Sequence, residues 1–328
     1  MHAMTYSAFG PAKDVMTLVQ MDTPTPAAGE VLVQLEYSGA NPSDAKARAG
    51  TRPGVTKPAF DVIIPNSDGA GIITEVGQGV DPARIGSRVW IWNGQWQRPF
   101  GTCAEFIALP ADQAVDMPDD MAMETGACLG IPGLTAAHAV LGGGDVAGMT
   151  LLISGGAGSV GHNAIQMAKW AGAKVIATGS PNAFDRITAV GADHVLDYRA
   201  ADLADQILNL APNGIDRAVE VEFGMNADLL HRVVRSNGTI AAYGSGKEMA
   251  PTFPFGPYLF KSITIDIVLI YTLPKADRDA AIDALHRAHA AGEFKPAVHH
   301  ILPLEDSADA HDATMTPGRA GAVLIKMR

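Results

Sequence analysis

Thr150-Leu151-Leu152-Ile153-Ser154-Gly155-Gly156-Ala157-Gly158-Ser159-Val160-Gly161-His162 is the stretch that decides the fold. Its short apolar run, Leu151 to Ile153, ends in a glycine-rich turn. Helical spacing follows at Val160, Ala164, Ala168 and Ala171, and a second apolar run spans Val175 to Ala177. The pattern reads strand, tight turn, helix, strand. Gly156, Gly158 and Gly161 stand in the G-x-G-x-x-G register, with Ala157, Ser159 and Val160 between them. In that register the first glycine lets the chain reverse, the second admits a pyrophosphate to the backbone, and the third lets helix and strand pack closely. A helix starting near Ser159 offers its unpaired N–H groups and positive dipole end to phosphate. The stretch therefore implies dinucleotide binding.

The end of the second strand bears on which nicotinamide cofactor fits, because NAD needs an Asp or Glu there for its ribose 2′-hydroxyl. Here it reads Thr178-Gly179-Ser180, with Arg186 and Tyr198 near the same edge and Asp185 as the nearest acid. Hydroxyl donors and a cation without a repelling carboxylate suit a 2′-phosphate, so NADPH is expected.

At 328 residues the chain is long enough for two domains. A hydrophobic share of 47% and a charged share of 18% are those of a globular enzyme. The net charge of −11 argues against a nucleic-acid track, which needs concentrated Lys and Arg. Met1 to Phe9 lacks the basic start and apolar core of a signal peptide, and Ser262 to Leu273 is too short to span a bilayer and is broken by Asp266. A cytoplasmic protein without a membrane partner is expected. Two cysteines, Cys103 and Cys128, cannot build a disulfide framework.

Val31 to Tyr37 alternates as a half-buried strand does, and runs at Ala70 to Val76, Val89 to Trp92 and Ala104 to Leu109 add further short strands broken by Gly and Pro. From about Met121 the texture becomes helical. Strand–helix alternation then continues through Val195 to Leu196, Ala218 to Val221 and Thr239 to Tyr243, implying a parallel sheet covered on both faces. Ser262 to Ile270 reads as a strand that could lie at the sheet edge and pair with a second subunit, and Lys275 to Ala291 as a helix stopped by Gly292. The last strand, Ala322 to Ile325, is expected to return to the first domain. The expected domains are thus 1–121 with 298–328, and 122–297.

Five motifs stand in the order seen in medium-chain dehydrogenases: Gly39-Ala40-Asn41-Pro42-Ser43-Asp44, Asn66-Ser67-Asp68-Gly69-Ala70-Gly71, Gly101-Thr102-Cys103-Ala104-Glu105-Phe106, Ile131-Pro132-Gly133-Leu134-Thr135-Ala136, and the glycine turn itself. The chain resembles their zinc-free quinone oxidoreductase branch, the zeta-crystallin-like proteins. That resemblance implies an α/β protein: a Rossmann-type doubly wound parallel sheet plus a GroES-like β-barrel catalytic domain, a cleft between them, NADPH, and commonly a homodimer. Zinc-dependent relatives carry Cys, His and Cys where this chain has Asn41, Ser67 and Pro132, none of which suits zinc. Without a Lewis acid, hydride addition to an electrophilic acceptor, a quinone or an α,β-unsaturated carbonyl (enone), is favoured over alcohol oxidation.

By the same resemblance Thr135 lies beside the nicotinamide and Asn41 lines that pocket. Tyr243, Gly244 and Ser245 form a later nucleotide loop, and Val268 and Leu269 approach from the other side. Many relatives have Tyr where this chain has Lys46. Lys46 is either a hydrogen-bond donor to the developing oxyanion or a solvated surface lysine. Trp90, Trp92 and Trp96 either fill a β core or wall a pocket for a flat substrate, with Trp92 and Trp96 the pocket candidates. His286, His289, His299 and His300 read as surface or half-buried histidines, Cys128 as a small buried hydrophobe, and Asp44 as a cap for the Asn41 loop. Two other readings remain open: reduction of an enoyl thioester or another activated alkene, and a non-catalytic NADPH-binding protein of structural or RNA-binding role.

Overall fold

The alternating run from Val31 becomes the strand around which the first unit is built. The chain enters through an antiparallel pair, β1 (His2–Thr5) and β2 (Thr17–Gln20). β3 (Glu30–Ala40) follows, then β4 (Asp68–Val76), β5 (Arg88–Ile91), β6 (Phe106–Pro110) and β7 (Ala114–Asp116). β3 buries Val31, Val33, Leu35 and Tyr37 and exposes Gln34 and Glu36, as its alternation predicts. It is antiparallel to both β4 and β6. The computed structural model describes residues 1–51 and 54–328.

The second unit is a six-stranded, wholly parallel sheet. Its strands are β8 (Thr150–Ile153), β9 (Lys174–Gly179), β10 (His194–Asp197), β11 (Ile215–Glu220), β12 (Val234–Ala242) and β13 (Thr264–Ile267). They lie in the order β10-β9-β8-β11-β12-β13, all parallel. From β8 the chain winds out through β9 to β10, then returns to β11 and winds the other way. The direction reverses between β8 and β11, the switch point at which open α/β sheets bind ligands beyond the carboxyl ends of their strands. β13 is an edge strand but shorter than the apolar run suggested. Ser262 takes a left-handed φ of 51°, and the backbone coils into a short 3₁₀ turn at Ile270–Thr272. The helix Lys275–Ala290 ends before Gly292, whose φ of 73° a side chain would resist.

β14 (Val298–Pro303) and β15 (Ala322–Lys326) rejoin the first sheet, β15 pairing with β3. The first unit is Met1–Ile131 with Pro296–Arg328, and the second is Pro132–Lys295. Residues 122–131 lie in the first unit, although helical texture begins near Met121. The helix Met123–Gly126 is tied to β3, with Tyr37 donating its hydroxyl to Glu124 at 2.8 Å. Each unit has its own core, one around Val33, Ile73 and Val323, the other around Leu152, Ala218 and Ile240.

Candidate functional site

In the second unit the predicted nucleotide residues cluster at the carboxyl ends of the parallel strands. β8 runs through Ser154 into the glycine turn, and the helix Ser159–Trp170 starts from it. The reversal falls on Gly155, with φ 69°, one residue before the glycine to which the motif assigned it. Gly156 is packed: a Cβ there would meet Ile165, Ala177 and Ile187 at 3.1–3.2 Å. Gly161 is tighter, its imagined Cβ 2.2 Å from the Gly155 carbonyl oxygen, so helix and turn touch backbone to backbone. Gly158 is open, with only the Gly155 oxygen at 3.5 Å. Thus the middle glycine leaves room for a ligand and the last closes the packing, as the motif requires.

β9 ends beside this turn, where the Gly156 N–H donates to the Thr178 carbonyl at 2.8 Å. Ser180 follows and donates its hydroxyl to Asn182 at 2.5 Å. Tyr198, just past β10, gives its N–H to the Gly179 carbonyl at 3.4 Å, which brings it to the Ser180 corner. Its ring is 52% exposed and lies under the Arg199 guanidinium at 5.2 Å. Arg186 sits half-buried on the helix Phe184–Ala189, and Asp185 beside it is exposed. Two buried polar atoms among the described residues lack a hydrogen-bond partner here, Ser159 Oγ and Arg186 Nε. Buried donors without partners are costly, and anionic oxygens satisfy both kinds of group. The residues present therefore fit a nucleotide.

β12 leads into Tyr243-Gly244-Ser245. Ser245 Oγ accepts the Gly224 N–H at 2.8 Å, and Gly244 accepts from the Phe223 N–H at 3.0 Å. Val268, just past β13, is buried and donates its N–H to Ala242 at 2.9 Å, while Leu269 is 49% exposed. Thr135 is buried on the helix Leu134–Leu141. Sequence reading missed Glu220, the last residue of β11, fully buried and hydrogen-bonded to Ser154, the Glu222 N–H and Asn226. Its signal was a lone acid inside the apolar run Ala218 to Val221.

In the first unit β3 hands over to the helix Pro42–Ala49 at Asn41. The Asp44 carboxylate accepts the Asn41 backbone N–H at 2.8 Å, the capping role its position suggested. The Asn41 carboxamide donates to Asp68 Oδ2 at 2.7 Å, a contact that sequence gave no means to see. Burial first, then the charge of Asp44, raises the Asp68 pKa well above the carboxylate range, against hydrogen bonds from Ile131 and Asn41. Beside it Asn66 holds a left-handed φ of 73°. Its amide donates to Ser38 at 3.0 Å, and its oxygen pairs with His311 Nε2 at 2.9 Å. Lys46 is exposed on the helix.

The aromatic candidates separate. Trp92 is buried and its indole N–H is committed to the Asp112 carbonyl at 3.1 Å, so it belongs to the core and not to an open pocket. Trp96 is half-buried. Cys103 and Cys128 are buried, and desolvation pushes both thiols up, Cys103 to about 12. Neither is poised as a thiolate. At the positions of the zinc ligands, Asn41 is engaged with Asp68, and Ser67 is buried with its carbonyl accepting from Gly94 at 2.8 Å. An amide, a hydroxyl and a proline do not make a zinc donor set. Among the described residues no three His, Cys, Asp or Glu gather as a metal site, and no helix is long and apolar enough to cross a membrane.

Comparison with known proteins agrees with this architecture. An alcohol dehydrogenase GroES-like domain family matches residues 27–119, and a zinc-binding dehydrogenase family matches residues 159–287. The chain is 30% identical to a quinone oxidoreductase of Sus scrofa, over 99% of this chain and 97% of that protein. It is 28% identical to a chloroplast envelope quinone oxidoreductase homolog of Arabidopsis thaliana, over 99% of this chain and 98% of that protein. Among solved structures, a mycobacterial protein in complex with NADPH superposes with a TM-score of 0.87 at 25% identity, covering 99% of this chain and 100% of the other.

Proposed function

From the membership of this chain in the quinone oxidoreductase family of medium-chain dehydrogenases and reductases, we propose that it is an NADPH-dependent, metal-independent reductase of a quinone or an α,β-unsaturated carbonyl. Nicotinamide dinucleotide binding is typical of the family, and NADPH is held by the mycobacterial relative. The observation that carries the reading is the glycine turn at the switch point. There one glycine is left open while Ser159 Oγ and Arg186 Nε wait without partners.

In this reading Gly156 to Gly161, with Ser159, hold the pyrophosphate. Ser180, Arg186 and Tyr198 take the 2′-phosphate edge. Thr135, Tyr243 to Ser245, Val268 and Leu269 serve the nicotinamide half. NADPH, when bound, supplies the hydride. The chain's own task is to orient that donor, exclude water and meet the charge that develops on the acceptor oxygen. Asn41, fixed by Asp44 on its backbone and Asp68 on its amide, is a pre-set polar contact for the reacting groups. Lys46, exposed on its helix, is the candidate donor to the oxyanion, and Trp96 the candidate stacking surface.

The test follows NADPH absorbance with a naphthoquinone, a small enone and crotonyl-CoA offered separately. Oxidation with the quinone or the enone supports the reading. Exclusive use of crotonyl-CoA makes it an enoyl-thioester reductase, and tight NADPH binding without turnover on any acceptor makes it a non-catalytic binder. Replacing Lys46 by Met separates the two roles of that residue, since unchanged turnover leaves it a surface lysine.

A further inference from the structure

Glu220 is a buried carboxylate at the switch point, and each of its oxygens has a distinct set of partners. Oε1 accepts the Glu222 backbone N–H at 2.6 Å and the Asn226 amide N–H at 2.9 Å. Neither donor can take a proton in return. Oε2 receives the Ser154 hydroxyl at 2.6 Å. A hydroxyl can reverse its role, so a proton arriving on Glu220 belongs on Oε2, where it is donated to Ser154 Oγ. The Ser154 hydrogen is then free to turn elsewhere. Ser154 directly precedes Gly155, the left-handed residue on which the glycine turn pivots.

The end of β11, through backbone and carboxylate together, ties the nucleotide elements to one another. Ser154 roots the turn and gives its backbone N–H to Val219 at 2.9 Å. Asn226 lies in the first turn of the helix Phe223–Val233. The Glu220 carbonyl accepts the N–H of Tyr243, the first residue of the later loop, at 3.0 Å. A shift of this side chain reaches Ser154 and Asn226 directly, while the later loop is tied to the backbone of the same residue.

We propose that Glu220 is a positioning residue for the pyrophosphate turn, and that it takes up a proton from the buffer when a dinucleotide binds there. This rests on the nucleotide reading of the turn. A pyrophosphate brings negative charge to a fully buried carboxylate, and like charges close together favour the neutral form of one of them. Glu220 is already disposed to this. Burial raises its pKa, hydrogen bonds from Ser154, Glu222 and Asn226 lower it, and the charge of Glu222 raises it again. The titratable groups that act on it or feel it are Glu222 on its own segment, Tyr243 from the exit of β12, and Tyr258 from the helix Phe255–Lys261. All of these are acids.

The experiment measures binding of NADPH and of ADP-ribose by calorimetry between about pH 5.5 and about pH 8.5, in buffers of different ionisation heat. ADP-ribose has the pyrophosphate but no 2′-phosphate, whose own titration near about pH 6 would otherwise intrude. Wild-type affinity should weaken with rising pH, approaching about tenfold per pH unit once free Glu220 is ionised, with a buffer-dependent heat marking proton uptake.

Glu220→Gln mimics the protonated acid, its amide N–H facing Ser154 and its oxygen facing the two donors. It should bind ADP-ribose with pH-independent affinity close to the wild type's best, and NADPH with only the pH dependence of the 2′-phosphate. Ser154→Ala removes a donor from the ionised form and should move the wild-type profile to higher pH. Equal pH slopes in wild type and Glu220→Gln, or binding without proton uptake in wild type, would overturn the coupling and leave nucleotide binding intact. Failure of wild type to bind either nucleotide would overturn both.

Discussion

Adding one methyl group at either of two neighbouring glycines should have opposite consequences. At position 161 a Cβ would stand 2.2 Å from the Gly155 carbonyl oxygen, 2.8 Å from its carbon and 2.9 Å from the Gly156 Cα. All three are backbone atoms, so no side chain can swing away, and the turn must move by about 1 Å to restore ordinary contact. Overpacking of this kind costs roughly 1–3 kcal/mol, and Gly161→Ala should lose that much stability together with nucleotide affinity. At position 158 the same methyl meets only the Gly155 oxygen at 3.5 Å, and the backbone there, φ −75° and ψ 165°, suits any residue. Gly158→Ala should therefore melt like wild type and yet bind NADPH at least about tenfold more weakly, because the methyl occupies the approach to the backbone. Thermal melts and fluorescence titration with NADPH read the two effects separately. Wild-type affinity in Gly158→Ala would refute the assignment of the turn, and a wild-type melt in Gly161→Ala would refute the packing.

Three further outcomes are expected. Arg186→Ala should raise the KM for NADPH by roughly tenfold or more and leave that for NADH nearly unchanged, since a lost charged hydrogen bond is specific to the 2′-phosphate; equal losses would remove Arg186 from that role. His311 is buried, and desolvation, then the charge of Arg48, holds its pKa down to about 3 against 6.5 for the free residue. Between those values the unfolded chain binds the extra proton, so stability falls as pH drops through the window, by up to about 1.4 kcal/mol per pH unit. Asp68 and Glu220, raised by burial, run the other way, so urea melts must be compared with His311→Gln, and equal slopes would discard the claim. The edge strand β13 ends in Ile267, 80% exposed, near the 89% exposed Phe260 in sequence. If a second copy pairs there, Ile267→Lys should halve the mass seen by light scattering, and an unchanged mass would place any oligomer contact elsewhere.

The parallel sheet was legible because its signals are local. A glycine triplet between two apolar runs fixes strand, turn and helix within thirty residues, and each later strand repeats the period. The first unit was legible in its alternation at Val31 to Tyr37, where one face is core. What escaped the sequence depends on partners far along the chain. Trp92 and Trp96 look alike in a run of seven residues, and that the Trp92 indole is bonded to the Asp112 carbonyl, 20 positions away, shows only in the fold. The last strand was expected to return to the first domain and pairs there with β3, whereas residues 122–131 were expected in the second unit and lie in the first, where Glu124 accepts the Tyr37 hydroxyl. Asn41 was found by motif, while its anchor Asp68 lies 27 positions away and is joined to it only by the fold.

The two buried acids follow one design. Asp68 holds the Asn41 amide in the first unit, and Glu220 holds the Ser154 hydroxyl in the second. Each is a buried carboxyl group at a strand end, gripping the polar side chain that leads into the following loop or helix. An apolar residue there would cost less to bury, so stability alone does not account for the choice. A carboxyl group offers two acceptors in a fixed plane, which orients its partner as a methyl group cannot. In the proposed function orientation is what both loops would supply, because a hydride acceptor and a pyrophosphate tolerate little misplacement. The cost is sensitivity to charge: a second anion nearby pushes each acid toward its neutral form. Asp68 meets that anion in Asp44 and Glu220 in Glu222, but a bound pyrophosphate would add a further anion beside Glu220. A single physical rule thus makes one acid a fixed brace and leaves the other responsive to ligand, and the pH profile of nucleotide binding is where the difference should appear.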